Sequence, residues 1–162
     1  MTNQRLEQIF VLLEEEKYGV LATMSHQYPG FPFGSLCPFA AEPDGNLLIL
    51  VSSLAEHAKN LRSDPKASLY IPQTKSVDDP QNVGRVCILA SASIVERDQW
   101  ESAAKTYLAR FPTATTQLSL GDFYFLRLVP EHLRRINGFG SMFWMHQSEY
   151  QAVRVDDEQG AG

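Results

Sequence analysis

Four histidines, His26, His57, His132 and His146, are the side chains best suited to hold a metal or pass a proton near neutral pH. They stand too far apart in sequence for the local spacings that build zinc sites, so any joint action requires the fold to gather them. His26 sits beside the Pro29-Gly30 turn and His132 follows Pro130, which places both in solvent, whereas His57 borders the apolar stripe of a helix. The two cysteines, Cys37 and Cys87, lie in strand-like runs and read as small buried hydrophobes, not as a disulfide or half a metal site. Ser93 and Ser119 have no histidine and acid beside them, and no Gly-x-Ser-x-Gly elbow occurs. Gly138-Phe139-Gly140 lacks the third glycine of a dinucleotide fingerprint, and there is no P-loop. Hydrolase and nucleoside-triphosphatase chemistry drop out.

The elements that must position these residues follow from periodicity. Residues Gln4 to Lys17 carry Leu6, Ile9, Phe10, Leu12 and Leu13 at helical spacing, with Gly19 as a stop. A strand from Gly19 to Ser25 and another from Pro32 to Ala40 flank a turn at Pro29-Gly30. Gly45-Asn46 marks a second hairpin, and Leu47 to Val51 has no polar alternation, which predicts a strand buried on both faces. Ser53-x-x-Glu56 has the form of a capping box, so a helix is expected from Ser53, with Leu54, Ala58 and Leu61 as its buried stripe and Asp64-Pro65 as its end. Ala67 to Ile71 reads as a strand, and Gln73 to Asn82 as an exposed loop. From Val86 the chain alternates cleanly: Val86, Ile88, Ala90, Ala92 and Ile94 share one face of a long strand. Arg85 at its start has the alternative role of guarding a sheet edge. Asp98 opens a helix with Trp100, Ala103, Ala104, Tyr107, Leu108 and Phe111 on one side. Asp122 to Val129 is a further strand, Leu133 to Ile136 extends the sheet past Pro130, and Met142 to Met145 forms a last short one. Five or six hairpin-linked strands make a mostly antiparallel sheet that closes into a small barrel or, alternatively, a sandwich.

A net charge of −5 excludes a nucleic-acid surface as the main function, because phosphate neutralisation needs a basic face. Apolar runs reach only five residues, as in Leu47 to Val51, too short to cross a membrane, and the first segment is acidic and amphipathic, unlike a signal peptide. The expectation is a cytoplasmic protein with one domain over residues 1–155 and a polar tail over 156–162.

Several stretches then converge on a known family. Gly19-Val-Leu-Ala-Thr-Met-Ser with Pro29-Gly-Phe-Pro-Phe-Gly-Ser-Leu resembles the first hairpin of the pyridoxamine 5'-phosphate oxidase-like FMN-binding split barrels. Leu54-Ala-Glu-His-Ala-Lys-Asn-Leu-Arg-Ser-Asp-Pro resembles the helix after their third strand. Phe125-Leu-Arg-Leu-Val-Pro and Ile136-Asn-Gly-Phe-Gly-Ser-Met-Phe-Trp are similar to the terminal strand and glycine turn of the haem-utilisation and cellular-repressor (CREG)-like branch. The resemblance implies a mainly β (α+β) fold: a six-stranded antiparallel split β-barrel with flanking helices. It also implies a homodimer with two pockets at the subunit interface.

What the resemblance implies about the site is specific. FMN is the expected cofactor, with its phosphate near the start of the helix after the third strand, where free amides and the helix dipole favour an anion. Ser52 and Ser53 would add hydroxyls there, and Lys59, Arg62 or Arg85 positive charge; Asn60, of the family's Asn-Leu pair, belongs to the same segment. Ser35, Leu36 and Cys37 would line the isoalloxazine, and the partner's 139–144 segment, Trp144 included, would supply the other wall. The protein would then be a flavin-dependent oxidoreductase exchanging electrons with a small-molecule substrate or electron donor. Where many FMN-binding relatives carry Ser-Arg-Lys, this chain has Ala55-Glu56-His57, and on a helical wheel Lys59 falls about 160° from His57. A histidine at this position is similar to the haem-utilisation branch, which makes haem the alternative ligand, with His146 as the candidate iron ligand. The same replacement also permits a non-catalytic dimeric binding module that has lost the cofactor.

Overall fold

The computed structural model describes residues 2–75, 77–138 and 140–151. The chain runs α1 (Thr2–Glu15), β1 (Tyr18–Met24), β2 (Pro32–Pro38), β3 (Ala40–Ala41), β4 (Leu47–Ser52), α2 (Glu56–Ser63), β5 (Lys66–Pro72) and β6 (Arg85–Ile94). It continues through α3 (Trp100–Arg110), α4 (Thr115–Leu118), β7 (Phe123–Ile136) and β8 (Met142–His146). Every strand pairing is antiparallel, in the order β2-β1-β5-β6-β7-β4-β3, with β8 alongside β7. The strands β1, β2, β4, β5, β6 and β7 make up the expected split barrel; β3 and β8 are short additions. The sheet curls until β2 and β4 approach each other.

Strand β7 organises the site. One edge runs along β6; on the other, its first half pairs with β4 and its second half, from His132, with β8. Pro130 has no amide to give the ladder, and the register with β6 slips here: Leu89 faces His132 while Ala90 faces Pro130. Glu131 is the extra residue, so a β-bulge turns Glu131 and His132 toward the same side of the sheet.

The main core lies on the concave side. Leu6, Ile9, Leu12 and Leu13 of α1 are buried there against Leu21, Leu69, Ile71, Val86, Ile88 and Leu133. Each such side chain, fully withdrawn from water, contributes about 1.5–3 kcal/mol. A second cluster joins α3 to the sheet through Ala103, Tyr107, Leu48 and Phe125. Leu47, Ile49 and Val51 face the first cluster and Leu48 the second, so β4 is covered on both sides, as its unbroken apolar run predicts. The stripe of α3 packs as expected, although a short 3-10 turn over Arg97–Gln99 delays the helix to Trp100.

Three local expectations are corrected. The helix does not start at Ser53 but at Glu56, with Ala55 in the cap position and no side-chain cap. Ser52 takes the hydroxyl role instead: it accepts from the Leu54 amide at 3.1 Å and donates to Asp122 at 2.5 Å, while the Ser53 amide bonds the Asp122 carbonyl. Tied to the start of β7, residues 53–55 cannot wind into a helical turn, and Leu54 lies exposed rather than in the core stripe. Arg85 guards no edge, because β6 is flanked by β5 and β7. Ile94 continues the alternation but lies past the end of the core and is exposed. Residues 147–151 form an additional helical turn, and its Tyr150 is fully buried, donating to the Gly45 carbonyl at 2.9 Å. The expected tail, 156–162, and the end of the expected domain beyond Gln151 lie outside the described residues.

Candidate functional site

Among the described residues the convex side of the sheet carries no helix over β1, β2, β5, β6, β8 and the second half of β7, and its composition is not that of a surface meant for water. Antiparallel register aligns one row across the sheet: Leu36, Val20, Tyr70, Cys87, Arg134 and Trp144. Leu36 is 68% exposed and Trp144 57% exposed, with Val20 and Tyr70 exposed between them. The neighbouring row is Gly34, Ala22, Ser68, Leu89, His132 and His146. Small residues in its centre leave a groove of about 390 Å³, walled by Met24, Pro32 and Leu89 and ending at Lys66, Glu131 and His132. A contiguous exposed apolar surface around a groove marks a binding face.

The polar end of this groove is organised by the bulge. Glu131 Oε1 accepts from Lys66 Nζ and from Ser91 Oγ, both at 2.5 Å. These bonds, Lys66 first, hold its carboxyl below the usual carboxylate range. Beside it the rings of His132 and His146 meet edge to face, 5.1 Å between centroids. At His146 the imidazole Nδ1 lies 3.1 Å from Ser148 Oγ, while the His146 amide donates to Glu149. With Nδ1 held by Ser148, Nε2 is the nitrogen left to meet a ligand. Arg134 lies over the Trp144 ring at 5.3 Å, placing a cation at the other side of the histidine pair. Among the described residues no cluster of three or more His, Cys, Asp or Glu forms a ready metal cage, so a metal would have to arrive with most of its own ligands.

The residues singled out from sequence fall into three places. Leu36 and Trp144 stand at the two ends of one convex row, and His146 in the next. Arg85 is on the same side, its Nη1 occupied by the carbonyls of Gln81 and Val83. Ser35 and Cys37 alternate to the concave side, where burial pushes the Cys37 thiol up to about 12. Their side chains therefore do not line a surface with that of Leu36. The third group surrounds α2. Ser52 is bound to Asp122, and Lys59 Nζ lies 3.6 Å from Glu56, so carboxylates stand beside two of the groups expected to grip a phosphate. His57 is half-buried, and desolvation lowers its pKa. Asn60 is fully buried: its Oδ1 accepts from the His26 amide at 2.8 Å and its Nδ2 donates to Thr23 Oγ1 at 3.0 Å. It locks the β1–β2 turn to α2. His26 and His132 are exposed, as expected. The residues missed were Lys66, Glu131, Arg134 and the pairing of His132 with His146. Pro130 inside a strand pattern was the available signal of a bulge.

Fold and convex face together define an antiparallel split barrel of the pyridoxamine 5'-phosphate oxidase-like class. The family described as "CREG, beta-barrel" matches residues 10–152. The chain is 35% identical over 156 residues to the chloroplastic heme oxygenase HOZ of Arabidopsis thaliana, covering 93% of this chain and 47% of that one. It is 34% identical over 135 residues to heme oxygenase HutZ of Vibrio cholerae, covering 80% and 74%. A heme-binding protein from Mycobacterium smegmatis superposes with a TM-score of 0.83 at 27% identity, over 91% of this chain and 60% of its own. The chain thus belongs to the CREG β-barrel family. It spans about half the length of the plant relative. No helix among the described residues is long and apolar enough to cross a membrane.

Proposed function

We propose that this protein binds haem in the convex groove and that haem is the substrate of an oxidative breakdown, as the names of its relatives state for them. The observation that carries the reading is the His132–His146 pair at the mouth of an apolar groove. A haem needs a flat apolar slot, an imidazole nitrogen for iron and cations for its two carboxylates. Leu89, Met24 and the exposed Trp144 offer the slot, His146 Nε2 or its neighbour His132 the ligand, and Arg134, which has no carboxylate partner among the described residues, a cation. Haem supplies the iron at which dioxygen is activated; a reductant from outside the chain supplies electrons. Glu131 keeps Lys66 and Ser91 in place.

The groove is open on one side, and the Leu36–Trp144 row is the wall that a second copy of the chain would cover. A homodimer therefore encloses the macrocycle and excludes water from it. The carboxylates of Asp122 and Glu56, beside the position expected for a flavin phosphate, favour haem over FMN.

Titration of the purified protein with haemin tests this. Saturable binding with a Soret band that moves in His146→Ala or His132→Ala is expected, together with indifference to FMN. Leu36→Asp, which puts a charge into the row, is expected to yield a monomer by light scattering and to weaken haemin binding. A Soret band unchanged in the His132→Ala/His146→Ala double variant refutes the site; saturable FMN binding in place of haemin refutes the function.

A further inference from the structure

Arg135 is the residue after Arg134 on β7, so it projects from the opposite side of the sheet, opposite Val86 and Phe143, which are both buried. A guanidinium therefore stands on the concave side, 5% exposed. Its Nη1 donates to the carbonyls of Arg85 at 3.1 Å and Ile136 at 2.7 Å, while Nε is enclosed without a partner. No carboxylate among the described residues forms an ion pair with it. Arginine stays protonated at neutral pH even though burial pulls its pKa down. A buried cation without a counter-charge is costly, and carbonyl dipoles offset that only in part, so the position favours an anion beside it.

The surroundings have the form of a receptor. Arg135 borders a cavity of about 500 Å³ between α1, the end of β5 and β7, lined also by Gln4, Glu7, Gln8, Val11 and Gln73. With Nη1 spent on carbonyls and Nε enclosed, Nη2 is the donor that can meet a guest. Gln8 Oε1 already accepts from Asn137, which leaves its amide nitrogen for a ligand. Gly84 keeps this corner open: a Cβ there would stand 2.1 Å from Gln73 Oε1 and 3.3 Å from Arg135 Nη1. The Gln73 amide bonds the Gly84 carbonyl at 2.7 Å, fixing the glutamine beside the guanidinium. One cation balances one negative charge, and the neutral amides can share the second oxygen of a planar anion. A dianion would be under-compensated and repelled by Glu7.

We propose that this cavity is a second binding site, on the other side of the sheet from the groove, for a small monoanionic carboxylate held by Arg135, Gln73 and Gln8. The site does not depend on haem. The test follows the Arg135 Nε–Hε resonance of the full-length ¹⁵N-labelled protein during titration with sodium acetate against sodium chloride at matched ionic strength, and with inorganic phosphate. A saturable shift with acetate alone, tightened about two- to fivefold in Glu7→Gln by removal of an exposed like charge and weakened in Gln73→Met, is the expected result. Both variants change side chains on the cavity wall and leave Arg135 in place. The same drift with acetate and chloride, an acetate affinity unmoved in both variants, or tighter binding of phosphate than acetate overturns the assignment.

Discussion

Replacing Asn60 by alanine separates a structural role from a ligand-binding one. The carboxamide is fully buried and makes two long-range bonds, to the His26 amide at 2.8 Å and to Thr23 Oγ1 at 3.0 Å. These hold the β1–β2 turn against α2, two segments that no other side-chain bond of this strength joins among the described residues apart from the exposed His26–Ser63 contact. Asn60→Ala leaves a backbone donor and a nearly buried hydroxyl without partners, at about 1–2 kcal/mol each. The variant should thus lose about 2–4 kcal/mol in all. For a domain of this length that lowers Tm by roughly 4–16 °C. Urea unfolding followed by far-UV circular dichroism should show a lower midpoint at an unchanged slope. Below its melting range the variant should bind haemin as the parent does. A loss under about 1 kcal/mol would refute the structural reading. So would lost haemin binding by a fully folded variant, which would give Asn60 a direct part in the site.

Two further outcomes follow from local geometry. Gly45 and Gly30 have the same φ of +91°, but a Cβ on Gly45 would lie 2.6 Å from the Tyr150 ring while one on Gly30 would meet nothing. Gly30→Ala should cost only the backbone strain, about 1–2 kcal/mol, and Gly45→Ala about 2–3 kcal/mol more through the clash, measured by urea unfolding. Burial depresses the pKa of His57, so the unfolded chain binds more protons there than the folded one. Stability attributable to His57 is present above its unfolded pKa of about 6.5 and is lost as pH falls through the lower folded value. An NMR titration should place the His57 midpoint below the ordinary histidine value of about 6.5, and His57→Gln should flatten the acid side of the stability profile.

Much of the fold was legible locally because it rests on periodicity within one segment. The α1 stripe, the two-sided burial of β4, the alternation of β6 and the sheet's passage beyond Pro130 are each set by which residues of a short run must leave water. The Ser53 cap failed for the opposite reason. Its sequence fits a capping box, yet Asp122, seventy positions from Ser52, claims the hydroxyl next door and pulls the segment out of helical geometry. The partners of Asn60, the His26 amide and Thr23 Oγ1, are likewise 34 and 37 positions away and visible only in the fold.

The site belongs almost entirely to tertiary structure. His132 and His146 become neighbours only through the β7–β8 register, and Leu36 reaches the row of Trp144 only across four intervening strands. Residue types told which chemistry was available: imidazoles, a few cations, apolar strand faces and no nucleophile with a base beside it. Which of them lie together depended on a one-residue slip at Glu131, which turns Glu131 and His132 to one side and decides which of Arg134 and Arg135 shares it. Strand register is set by packing between distant segments, and a shift of one residue reverses every side chain beyond it.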